Sequence, residues 1–136
     1  MVSSTDCLFC KIVRGEIPSH KVYEDEDNVA FLDINPTTPG HTLVLPKRHF
    51  ENILDVEDAA LCKLILAVKK VAQKTKIRLD VDSLNVMQNT GRMSGQSIDH
   101  IHFHVVPRYT PNDMRIISQR VELSEQQFEE IVAKLK

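Results

Sequence analysis

Apolar and polar residues along this chain follow two different spacings, and the switch between them marks out the elements. "KVYED" from Lys21 and "NVAFLD" from Asn28 are separated by acidic, turn-like residues and read as paired strands. "NPTTPG", Asn35 to Gly40, is a loop, because two prolines and a glycine leave little else open to it. "HTLVLP" follows as a third strand closed by Pro46. From Asp55 to about Leu79 the spacing becomes helical. Leu61, Leu64, Ile65, Val68, Val71 and Ala72 recur on one face with lysines opposite, and Asp55 stands where an N-cap is expected. "DSLNVMQN" from Asp82 and "HIHFHVVPR" from His100 read as a fourth and a fifth strand. A short helix capped by Asp6 is expected through Arg14, with Gly15 ending it. Ser124 and Gln127 form a capping-box pattern that opens a final helix. The fold class predicted is α+β: an antiparallel five-stranded sheet, one long helix across a face, and shorter N- and C-terminal helices.

Composition narrows the class without naming a function. A chain of 136 residues suits a single domain, expected to span 1–136. Net charge is -2, with no run of like charges to hold nucleic acid or a membrane surface. No apolar stretch approaches a membrane span, and the first residues, Met-Val-Ser-Ser-Thr-Asp, lack a secretory pattern. Three cysteines, an odd number, do not make a disulfide framework, which points to a reducing, cytoplasmic setting. At 15.5 kDa the chain needs no signal to diffuse into a nucleus.

The chemistry concentrates in His100, His102 and His104. Alternate residues of a strand share a face, so these imidazoles line up while Ile101, Phe103 and Val105 enter the core. One reading is a catalytic metal held by all three. Same-face neighbours stand about 6.6 Å apart and the outer pair about 13 Å, whereas metal bonds are about 2 Å. Strand geometry therefore disfavours that reading. In the other, one neutral imidazole is a nucleophile and its neighbours hold its tautomer. Crowding lowers the imidazole pKa and keeps the ring neutral near pH 7.

Just upstream, "NTGRMSGQS" (Asn89 to Ser97) holds two of the chain's four glycines, Gly91 and Gly95, in a loop suited to approaching an anion. Ser97 offers a proton for a leaving group. Cys7-x-x-Cys10 has the spacing of a zinc half-site, although a redox pair shares that spacing. Cys62, inside the helical pattern, reads as a buried apolar residue. His20 has no motif around it and reads as a surface residue.

"GQSIDHIHFHVVPR" (Gly95 to Arg108) resembles the signature of the histidine-triad (HIT) family. "FLDINPTTPGHTLVLPKRH" (Phe31 to His49) and "CLFCKIVRGEIPSHKVYED" (Cys7 to Asp25) resemble other segments of the same proteins, particularly Hint-like and microbial zinc-containing members. The resemblance implies a nucleotide hydrolase acting at the α-phosphate of AMP-type nucleoside 5'-phosphoramidates through a nucleotidyl-histidine. It implies His102 as nucleophile, with His104, His41 and Ser97 completing the catalytic set. Phe9, Phe31 and Ile34 are implied around the base, Asp33 at the ribose, and Asn89 and Gln96 near the phosphate.

It further implies one structural zinc per chain on Cys7, Cys10, His49 and His100, with no organic cofactor and no magnesium requirement. A homodimer and a purine nucleotide substrate complete what it implies, with neither nucleic acid nor membrane as partner. Pro107 and Arg108 resemble the branch that hydrolyses dinucleoside polyphosphates instead, and the chain has no tryptophan where many phosphoramidate hydrolases carry a Trp-Pro segment. A nucleotide-binding adaptor with vestigial activity is the remaining alternative.

Overall fold

The computed structural model describes residues 6–113 and 120–136; of the N-terminal stretch read for a secretory pattern, all but Asp6 lies outside them. Helix α1 (Leu8–Val13) leads into strands β1 (Lys21–Glu24), β2 (Asn28–Leu32) and β3 (Thr42–Pro46). The long helix α2 (Asp58–Arg78) is followed by β4 (Ser83–Gln88), β5 (Phe103–Arg108) and α3 (Glu125–Leu135). Among the described residues the strands form the single five-stranded antiparallel sheet that the sequence predicts, and their order in it is β1-β2-β3-β5-β4.

Period-two alternation sorts side chains onto the two faces of that sheet. Ala30, Val44, Phe103 and Val105 pack with Leu64, Ala67, Val68 and Val71 of α2. Their neighbours in sequence, Val29, Phe31, Leu43 and Leu45, face the other way and pack with Cys7, Phe9 and Cys10 of the α1 region. The sheet is therefore covered by α2 on one side, while the other carries α1 and the histidines. Ile101, Phe103 and Val105 are buried, as the alternation requires.

Several boundaries differ from the sequence reading. Cys7, not Asp6, caps α1, its Sγ accepting from the Cys10 amide at 3.4 Å. Helix α2 starts after Glu57; Asp55 lies in the preceding turn, where its carboxylate accepts from the Glu51 amide at 2.9 Å. Strand β5 begins at Phe103 rather than His100. The β3–β5 ladder ends at Val44↔Phe103 and the β4–β5 ladder at Gln88↔Phe103; before them Ile101 donates to the Phe50 carbonyl at 2.7 Å.

Cys62 is exposed, because only one stripe of α2 meets the sheet and Cys62 lies off it. Ile65 likewise points outward, at 44% exposure. His20 is exposed as expected. The Ser124–Gln127 capping box forms, but no residue of α3 is buried, and its stripe of Phe128, Ile131, Val132 and Leu135 lies open. No helix among the described residues is long and apolar enough to cross a membrane.

Candidate functional site

The histidines divide into two groups because the chain turns between His100 and Phe103. The rings of His102 and His104 lie 5.0 Å apart, whereas His100 turns toward the His49 ring, also at 5.0 Å. Phe9 sits edge-on to His102 at 5.0 Å and to His100 at 5.9 Å, so one α1 residue packs against both.

Hydrogen bonds to groups of fixed polarity set the tautomers. A carbonyl only accepts and a main-chain amide only donates. The Nδ1 of His102 lies 2.7 Å from the His100 carbonyl, so Nδ1 carries the proton and Nε2 keeps its lone pair. The His41 Nδ1 accepts from the Thr37 amide at 3.0 Å, which puts the proton of the neutral ring on Nε2. That Nε2–H donates to the His104 Nδ1 at 2.9 Å, leaving Nε2–H of His104 as a donor. Burial lowers the pKa of His102 and of His41 and pushes His104 down to about 4, so all three rings are neutral at pH 7.

A cleft of about 250 Å³ opens over the rings of His102 and His104. Phe9, Phe31, Asp33, Ile34, Ser97, His102 and His104 are among the residues that line it. Phe9 and Phe31 are buried and meet edge to face with centroids 5.5 Å apart, while Ile34 is 81% exposed at the mouth. Asp33 accepts from the Asn35 amide through Oδ1 at 2.9 Å, and its Oδ2 lies 3.6 Å from His41 Nε2. It is thus both a turn residue and part of the cleft wall.

Asn89 and Gln96 stand back from that wall. The buried Gln96 amide accepts from the Gly91 N–H at 2.8 Å and donates to the Glu51 and Ile98 carbonyls at 2.7 and 3.1 Å. Its side chain closes the 91–96 loop onto the residue-51 segment rather than presenting a free amide. Asn89 lies against the same loop, where a Cβ at Gly95 would meet its Nδ2 at 3.5 Å. Sequence reasoning missed Leu43 and Ile98 in the cleft wall. Leu43 was legible from the β3 alternation; Ile98, in a loop, had no pattern to reveal it. The Thr37 amide was also missed, since a main-chain donor leaves no residue-type signal.

Cys7, Cys10, His49 and His100 form the second group, their donor atoms all within 4.8 Å of one another. Cys7 Sγ lies 3.3 Å from His100 Nδ1, and Cys10 Sγ lies 3.4 Å from His49 Nδ1 and 3.5 Å from His100 Nδ1. These separations suit the edges of a tetrahedron with metal bonds of about 2.0–2.3 Å. The tautomer suits it as well. His100 donates through Nε2–H to the Pro46 carbonyl at 2.8 Å, so its Nδ1 lone pair faces the sulfurs, the outer-shell bond typical of a metal-bound imidazole. Burial pushes the Cys10 thiol up to about 11, so a thiolate there calls for a cation beside it.

The fold matches that of solved HIT-family structures. Residues 14–111 match the HIT domain family, and the chain belongs to it. It is 52% identical over 103 residues to an uncharacterized HIT-like protein of Methanocaldococcus jannaschii, covering 76% of this chain and 79% of that one. It is 42% identical over 107 residues to an adenosine 5'-monophosphoramidase of Schizosaccharomyces pombe, covering 79% and 76%. A zinc-bound histidine triad family protein from Mycobacterium smegmatis has a similar structure, with a TM-score of 0.76 and 33% identity over 98% of this chain and 97% of that chain.

Proposed function

We propose that this chain hydrolyses AMP-type nucleoside 5'-phosphoramidates by way of a nucleotide carried on His102. The observation that carries the reading is the 2.7 Å bond from His102 Nδ1–H to the His100 carbonyl, which leaves the Nε2 lone pair in a ring that lines the cleft. Base and ribose occupy the half of the cleft lined by Phe9, Phe31, Ile34 and Asp33. His102 Nε2 attacks the α-phosphorus, a P–N bond to the imidazole forms, and the bond to the leaving amine breaks.

The developing positive charge on the ring is held by Nδ1–H on the His100 carbonyl. His104 Nε2–H donates to a phosphoryl oxygen. Ser97, which also lines the cleft, donates a proton to the departing amine. Water then attacks phosphorus, one of its protons replaces the one Ser97 gave to the amine, the P–N bond to His102 breaks, and AMP leaves with His102 neutral again. Asn89 and Gln96 act through the Gly91–Gln96 loop, whose shape they hold.

Zinc on Cys7, Cys10, His49 and His100 is structural in this reading, because four protein ligands leave it no open position. When bound, it ties α1 to the segments around Pro46 and His100 and so holds Phe9 against His102. The named activity of the fission-yeast relative and the zinc in the mycobacterial one support both assignments by likeness. Dimerisation fits the open edge of β4, the exposed Ile65, Leu66 and Ile77 of α2, and the open stripe of α3. Arg108 gives the polyphosphate reading no support: its Nε donates to Asn85 Oδ1 at 2.8 Å and it also donates to the Asp113 carbonyl at 2.5 Å, so it braces the β4–β5 edge.

The test is a turnover assay with adenosine 5'-phosphoramidate and a diadenosine polyphosphate in parallel, with alkaline-quench trapping of the acid-labile AMP adduct. Faster release of AMP from the phosphoramidate, with an adduct on His102, supports the reading. Binding of AMP without turnover of either compound would replace it with an adaptor role.

A further inference from the structure

Asp33, His41 and His104 bring three ligand-type atoms within 4.8 Å of one another, a spacing that a divalent cation could use. The proton positions point elsewhere. A neutral imidazole that binds a metal through Nε2 must carry its proton on Nδ1. The His41 Nδ1 faces the Thr37 amide, which is itself a donor, at 3.0 Å. Two N–H groups aimed at each other repel, and an imidazolium at His41 meets the same conflict. Asp33, with Oδ2 at 3.6 Å from His41 Nε2, pulls the other way and favours a charged ring. Arg108 adds positive charge nearby and opposes a charge on His41, as does His102 when protonated.

We propose that the main-chain N–H of Thr37 is a positioning group: it fixes the tautomer of His41, and through His41 that of His104, so that His104 meets the phosphoryl group as a donor. The direction runs one way along the chain of bonds. Thr37 N–H occupies His41 Nδ1; His41 Nε2–H occupies His104 Nδ1 at 2.9 Å; His104 is left with Nε2–H for the cleft. Were His41 to carry its proton on Nδ1, its Nε2 would accept from His104. That would turn His104 Nε2 into a lone pair facing an anionic phosphate. One backbone amide outside the histidine motif thus decides whether a triad member attracts or repels the substrate. The Thr37 loop is held for this purpose by Thr38 Oγ1 donating to the Pro107 carbonyl at 2.7 Å and Tyr109 Oη donating to the Pro39 carbonyl at 2.5 Å.

The role of His104 rests on the proposed phosphoramidase chemistry, but the tautomers can be read without turnover. Nitrogen-15 NMR of histidine-labelled protein at neutral pH should show protons on Nε2 of His41, Nε2 of His104 and Nδ1 of His102. A proton on His41 Nδ1 in the wild-type protein would overturn the proposal whatever the enzyme hydrolyses. The companion variant replaces the Thr37 amide with an ester, which deletes only that N–H; Thr37→Pro is the genetic version. In the ester protein His41 should move its proton to Nδ1 or gain a second one. The acidic limb of kcat should then rise by about one pH unit, with kcat falling more than KM changes. Thr37→Ala keeps the amide and should keep the wild-type proton pattern. An ester protein with an unchanged His41 tautomer would reject Thr37 as the controlling group.

Discussion

His102 donates its Nδ1–H to the carbonyl of His100 over 2.7 Å, while the ring of that same His100 reaches Cys7 Sγ at 3.3 Å. One residue therefore serves the thiol–imidazole cluster with its side chain and the His102 ring with its backbone. A change in how the cluster holds the His100 ring is transmitted, through a single residue, to the carbonyl that sets the His102 tautomer.

Replacing His102 with alanine should lower phosphoramidate turnover about 10⁴-fold or more, as for other covalent nucleophiles. AMP binding should stay within a few-fold of wild type, since the substitution leaves Phe31, Asp33 and Ile34 unaltered. Steady-state kinetics and calorimetric AMP titration check both. Substantial turnover in the variant would mean that another group attacks phosphorus.

Removing the metal should act on stability before chemistry. Metal analysis should find one zinc per chain. Cys10→Ser, or prolonged chelation, should cost about 3 kcal/mol or more, which for a chain of this size lowers Tm by roughly 10 °C. A fall in kcat should follow, because His100 no longer anchors its carbonyl. An unchanged melting curve after verified metal loss would show that α1 is held by apolar packing alone.

The elements legible from sequence are those whose side chains alternate or recur against a core. Val29, Phe31, Leu43 and Leu45 against Ala30 and Val44 sort the two faces of the sheet by residue type alone. The Cys-x-x-Cys pair was visible for the same reason, as spacing of a distinctive residue. Cys62 misled because helical periodicity gives a face but not its width. The start of β5 was hidden because it is set by where the ladders to β3 and β4 end, not by residue type along β5 itself. The bracing role of Gln96 was equally hidden, since its partners are backbone atoms of Gly91, Glu51 and Ile98.

Acid should destabilise the protein through its neutral buried imidazoles. His104 is pushed down to about 4 by burial and the nearby His102 and His41, against an ordinary value of 6.5. Between those pH values the unfolded chain binds a proton that the folded chain refuses. The contribution of the neutral ring is complete above about pH 6.5 and is lost as pH falls toward 4. His41 and His102, lowered in the same direction, add to the slope. Tm measured from pH 7 to 4.5 should fall steadily, and His104→Asn should flatten the curve. An unaltered slope in that variant would assign the acid sensitivity to other groups.

Two glycines of similar backbone conformation should respond differently to the same substitution. Gly15 and Gly40 both have positive φ, +80° and +94°. A Cβ at Gly15 meets nothing within 4 Å, so Gly15→Ala should cost only backbone strain, about 1 kcal/mol. A Cβ at Gly40 would lie 2.4 Å from Leu79 Cδ1 and 3.3 Å from Pro107 Cγ. Leu79 can rotate away, but the proline ring cannot, so strain and overpacking add to about 2–4 kcal/mol. Gly40 also precedes His41 directly. Relief of the clash shifts the backbone that carries His41, which lengthens its bond to His104. Gly40→Ala should therefore lower both Tm and kcat, whereas Gly15→Ala should lower Tm slightly and leave kcat alone. Denaturant melts and kinetics on the pair separate the outcomes: equal losses of stability would show that Pro107 and Leu79 yield freely, and an unchanged kcat in Gly40→Ala would show that His41 holds its place independently of the turn before it.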